Sequence, residues 1–248
     1  MEPSNPYQPP ALRTSGGERT AIQVEPGSSI DFNRTMRFFF DDPKWIAKLL
    51  MGSLFYVLAF FLIGGFFLAG YMMELIRRSA RGEQYPLPEW ENLGEMFVEG
   101  VKVMGAYLVI ILPAMLLFMV PMSTIGAFSE GGSPPAALGL MVILFMLVLG
   151  LVYIALLLYF PVAMVRMAME RRFSAVFEFS ENFDFLKRNI INFILAFVFY
   201  MLASLISQFG IILCCIGIIP AVFWAVCVGA YSLGEVALRD PVRSAGIS

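Results

Sequence analysis

The chain has 248 residues, of which 59% are hydrophobic and 15% charged; a soluble domain is roughly half apolar and a quarter charged. A net charge of −2 does not point to nucleic acid as a partner. There is no histidine, which excludes His-based acid–base catalysis, Ser–His and Cys–His nucleophiles and His-ligated zinc.

Residues 1–30 are rich in Pro, Gly and Ser and have no apolar core. This predicts a disordered tail rather than a secretory signal peptide. The stretch DFNRTMRFFFDDPKW, ending at Trp45, is a candidate amphipathic helix of poor periodicity. The apolar segment from Trp45 to Ile76 reads either as one long tilted helix or as a hairpin broken at Ile63-Gly64-Gly65. Arg34, Arg37, Lys44 and Lys48 precede it, and Arg77, Arg78 and Arg81 follow. Lys and Arg near span ends favour the cytoplasm, so two basic flanks suit a segment that enters and returns. Each arm is short for crossing, which suits a pair that dips.

The next stretch, YPLPEWENLGEMFVEGVKV, runs from Tyr85 to Val103. Trp90, Leu93, Phe97 and Val101 recur at helical spacing, with Glu91, Glu95 and Glu99 on another face. This predicts an amphipathic helix over 90–102 lying among the headgroups, with Trp90 as anchor and Pro88 in its first turn. Pro86 and Pro88 turn the chain into it. The acids Glu89, Glu91, Glu95 and Glu99 suit a solvated face paired with Arg77, Arg78 and Arg81; a divalent cation is the alternative occupant.

No Asp, Glu, Lys or Arg occurs from Val103 to Ser129, Gly131 to Val165, or Asn189 to Gly234. About 20 apolar residues cross a bilayer, and a charge at mid-span costs about 2.5–3.5 kcal/mol. Spans are therefore expected near Val103–Met122 and Ala136–Val165, and two more within Asn189–Ala237 around a turn between Gly210 and Gly217. The intervening STIGAFSEGGSPPAA lacks Lys and Arg and is expected outside. Arg166, Arg171, Arg172, Lys187, Arg188, Arg239 and Arg243 are expected inside. A second interfacial amphipathic helix is expected near 173–188. Cys214, Cys215 and Cys227 lie in apolar sequence and read as buried small hydrophobes. Glu74 and Glu235, near span ends, read as interfacial carboxylates beside basic exits. A sparse echo links the two ends of the chain: FDDPKW with FDFLKR, Tyr56 with Tyr200, and GYMMELIRR with AYSLGEVALR.

A resemblance rests on Asp42, Pro43, Lys44 and Trp45, followed by Gly82, Pro86, Leu87, Pro88, Glu89, Trp90, Gly94, Phe97 and Gly100. This pattern resembles a prokaryotic membrane family catalogued as domain of unknown function 4013, over about residues 35–240. The resemblance implies a multi-pass fold and supplies no activity.

The expectation is an all-α polytopic integral membrane protein of helical hairpins and interfacial amphipathic helices. It has a tail at 1–30, one membrane domain over 31–240 and a short C-terminal tail at 241–248. It is placed in the cell membrane with both termini cytoplasmic and with five or six spans. Trp45, Pro86, Pro88, Glu89, Trp90 and Phe97 are the expected motif and interface anchors. No catalytic residue, cofactor or metal site is expected. The expected function is a non-enzymatic module that binds membrane lipid, a protein partner or itself, with a permease or permease component for an apolar or amphipathic solute as the alternative.

Overall fold

The structure, a computed structural model, describes residue 22 and residues 24–131, 136–212 and 217–242. These form eight α-helices: α1 (Phe32–Asp41), α2 (Trp45–Leu58), α3 (Ile63–Ala80), α4 (Leu93–Gly131), α5 (Ala136–Glu170), α6 (Phe179–Arg188), α7 (Ile190–Gln208) and α8 (Ile218–Leu238). Four stretches are long and apolar enough to cross a membrane: Leu93–Met119, Gly139–Glu170, α7 and α8. The protein is an all-α polytopic membrane protein.

Helix α1 is more regular than its sequence suggests. Asp31 caps it by accepting the Arg34 N–H at 2.7 Å. Phe38 and Phe39 turn inward, and Phe38 stacks on Tyr231 of α8 with ring centroids 4.0 Å apart. Pro43 disfavours a helical Asp42 and ends the helix, and α2 leaves at 91° to it. The apolar segment then resolves as a hairpin: α2 ends in a 3₁₀ turn at Ala59–Phe61, Leu62 takes a φ of 66°, and α3 runs back.

Helices α3 and α8 pack together at the centre of the molecule, with Tyr71 and Tyr231 buried on them. Two glycines bring α3 and α4 into backbone contact. A Cβ on Gly70 would overlap the Met96 carbonyl, and one on Gly100 would overlap the Phe66 carbonyl. Gly100 belongs to the sequence motif, and this crossing is a physical reason for glycine there.

Four expectations change. Residues 85–92 are not helical; α4 starts at Leu93 and continues unbroken to Gly131, so no separate interfacial helix lies over 90–102. The Leu93–Phe97–Val101 periodicity is real, but it belongs to the first turns of a long helix whose Phe97 meets Phe66 and Phe67 of α3. The backbone of Ser123–Gly131, expected as a loop, continues α4. The second interfacial segment is a 3₁₀ turn, Phe173–Phe177, followed by α6, with Phe179 and Phe183 exposed and Phe185 buried. The expected tail at 1–30 lies mostly outside the described residues, but its end is held. The Gly27 N–H donates to the Arg239 carbonyl at 2.9 Å, and Ile30 is buried. Cys214 and Cys215, and residues 243–248 of the C-terminal tail, also lie outside them; Cys227 is buried.

The echo between the two ends falls on a repeated helix order. A ten-residue amphipathic helix, a hairpin arm, a 3₁₀ turn and a return helix occur as α1–α2–α3 and again as α6–α7–α8. Each return helix carries a Glu–Arg ion pair four residues apart near its end: Glu74–Arg78 and Glu235–Arg239.

Candidate functional site

The charged side chains gather where α3, α5 and α8 end and where α1 and α4 begin. Ion pairs between these elements place them on one face of the molecule. The two halves of the sequence motif meet here. Lys48, only 4% exposed, donates to Asp42 Oδ2 at 2.7 Å and to the Leu87 carbonyl at 2.8 Å, with Glu89 at 3.3 Å. Asp42 Oδ1 also accepts the Lys44 N–H at 2.8 Å. A lysine in an apolar helix needs a carboxylate beside it. Lys48 is the single charge between Trp45 and Met73, and that isolation was the available signal for this lock.

Pro86, Leu87 and Pro88 are buried in the extended link, and Leu87 is fully enclosed. The link delivers Trp90 against the bundle. Its ring lies between Phe55 at 4.7 Å and Tyr71 at 4.3 Å, nearly parallel to both. Trp45 is half-buried, edge-on to Phe40 at 5.3 Å. Phe97 is the exposed member of the set.

Glu74 is half-buried and faces Arg77, Arg78 and Arg81. Glu235, at the end of α8, is enclosed by protein: it is 1% exposed and held by Arg239 and, at 3.2 Å, by Arg34 of α1. Two guanidinium groups offset the cost of burying its charge. Of the acid cluster, Glu99 pairs with Arg77 and Lys102, and Glu89 with Lys44 and Lys48. Arg77 also donates to the Ala168 carbonyl at 2.9 Å, tying α3 to the end of α5.

Two clefts open on this face. One, of about 170 Å³, lies between α3 and α4; Glu74, Arg78, Glu95 and Arg171 are among the residues that line it. The other, of about 380 Å³, lies between α5, α6 and α8, over Val165, Met169 and Phe185, with Glu181, Asp184, Arg188 and Asp240 at its walls. Beside it Glu170, Glu178 and Glu181 converge closely enough to hold a cation. The Arg166 guanidinium already sits among them, 2.8 Å from Glu178. Partial desolvation disfavours the Glu178 charge, but the hydrogen bond from Arg166 and the nearby Arg172 outweigh it. Its carboxyl therefore titrates below the ordinary glutamate range. Asn182, fully buried, braces the turn before α6 by donating to the Ala175 carbonyl at 2.9 Å and to the Tyr159 hydroxyl at 2.6 Å.

The family described as a protein of unknown function (DUF4013) matches this chain over residues 52–216, more than half its length. The chain belongs to the DUF4013 family. No curated protein and no solved structure matches it. The DUF4013 match takes in the proline-rich link, α4, α5 and α6, and so most of the walls of both clefts. Asp42, Lys48, Glu235 and Asp240, which brace those walls from α1, α2 and α8, lie beyond its limits.

Proposed function

We propose that this DUF4013 protein is a non-enzymatic membrane module whose charged face, on the cytoplasmic side, binds membrane lipid or a protein partner. One observation carries the reading. Among the described residues, the Arg and Lys side chains and the carboxylates they pair with sit on that face around two open clefts, and the interiors of the crossing helices hold no Asp, Glu, Lys or Arg. A path for a coupled ion or a polar solute calls for polar or ionisable groups at membrane depth; a docking face calls for them at the end of the bundle. The repeated helix order favours a second reading, a permease for an apolar or amphipathic solute.

Gentle extraction from native membrane, followed by mass spectrometry of everything retained, tests the proposal. A stoichiometric protein or an enriched lipid is expected, and charge reversal at Glu181 and Asp184 should release it. If nothing is retained and the reconstituted protein moves an amphipathic solute, the permease reading replaces this one.

A further inference from the structure

Helix α2 does not reach as far as the helices around it. Its base is fixed at the charged face by Lys48, bonded to Asp42 and the Leu87 carbonyl. From Lys48 to Phe61 the helix and its 3₁₀ turn rise only about 21 Å. The return arm agrees: Leu62 to Arg77, which pairs with Glu99 at the same face, is about 22 Å. The hydrocarbon of a typical bilayer is about 30 Å thick. The second hairpin is longer: counted from the first residue of each helix, α2 with its 3₁₀ turn (Trp45–Phe61) rises about 26 Å and α7 with its own (Ile190–Ile212) about 35 Å.

The turn of the short hairpin is fixed and bare. The Leu62 N–H closes on the Ala59 carbonyl at 2.9 Å and the Gly65 N–H on the Leu62 carbonyl at 3.2 Å. The N–H of Ile63, the exposed first residue of α3, has no such partner among the described residues. Phe60, Phe61, Leu62 and Ile63 are 88%, 66%, 77% and 61% exposed.

Either the tip stops inside hydrocarbon, or the far leaflet is drawn down to it. An unpaired amide left in hydrocarbon costs several kcal/mol, whereas thinning costs only fractions of a kcal/mol per ångström, so a shortfall of about 9 Å is bridged at comparable or lower cost. We infer that the α2–α3 hairpin thins the bilayer on its side of the molecule, so that headgroups and water of the far leaflet meet its tip. The partner of this surface is far-leaflet lipid, and short-chain lipid fits it best. The inference rests on the lengths of the arms and is independent of what the charged face binds.

The test uses full-length protein in which Cys214, Cys215 and Cys227 are serine and one cysteine is added, as Phe61→Cys or Phe209→Cys. It is reconstituted into phosphatidylcholine vesicles with monounsaturated chains of about 14, 18 or 22 carbons, a series that brackets the usual hydrocarbon thickness. A membrane-impermeant maleimide is applied from the face opposite the charged one. Phe61→Cys is expected to react at least tenfold faster in the thinnest bilayer than in the thickest, while Phe209→Cys changes less than twofold. No reaction at Phe61→Cys even in the thinnest bilayer means that the hairpin turns within hydrocarbon; equal reaction in all three means an ordinary span. Either result overturns the inference. Phe60→Cys replaces any Phe61→Cys protein that fails to fold.

Discussion

Lys48 and Asp42 form the most enclosed lysine–carboxylate contact among the described residues, and removing one partner strands the other. Lys48→Ala should cost about 3–5 kcal/mol, read as a lower thermal-unfolding midpoint in detergent. The double change Lys48→Met with Asp42→Asn should recover most of that loss, because no buried charge is left alone. Trp90→Ala removes a ring stacked on both faces and should cost about 3–5 kcal/mol. Trp45→Ala, at a half-buried site, should cost clearly less. If Trp45 proves the costlier of the two, the placement of Trp90 inside the bundle is wrong. Sequence alone pointed to Trp90 as an anchor but not to the two rings it stacks on. A tryptophan flanked by glutamates looks the same with or without them; what decides is whether Phe55, 35 positions earlier, returns to meet it.

At the scale of elements, the four crossing helices were legible because the absence of charge over 20 or more residues has one strong physical cause. Element ends were less legible. The Glu91–Glu95–Glu99 face marks a helix, but nothing local says that its first turns pack on α3 instead of lying in the interface. Gly70 and Gly100 settle that by letting the backbones touch, and the partner of each lies some 25 to 35 residues away in sequence. Gly100→Val should push α3 and α4 apart, at about 1–3 kcal/mol or more, seen as lost monodispersity on size-exclusion chromatography. The placement of α6 has a pH signature. Glu178 holds its proton less tightly in the fold than in the unfolded chain, so its contribution is complete above the ordinary glutamate pKa. It fades as the medium acidifies through the lower, folded value. The unfolding midpoint should hold steady from about pH 8 to 5 and fall below about pH 4, and Arg166→Gln should flatten that fall.

For the whole molecule, the echo in the sequence was sparse, whereas the helix order it marks is plain in the fold. Apolar residues interchange freely on lipid-facing surfaces, so a repeat survives in lengths, breaks and end charges more than in identities. The proposed orientation rests on where arginine and lysine collect. A reporter cysteine at Ser129, in protein lacking the native three, should react with an impermeant reagent in intact cells; labelling only after the membrane is opened would reverse the assignment. The gathering of charge on one face has an electrical consequence. A membrane potential does work only on charge that moves through hydrocarbon, about 2.3 kcal/mol per elementary charge at 100 mV. Among the described residues, the Lys and Arg side chains of the crossing helices, Lys102 and Arg166, are held by carboxylates at one surface, so these charges do not move through hydrocarbon. The balance that these residues set should respond little to voltage, and should follow instead the composition and thickness of the lipid around the helices.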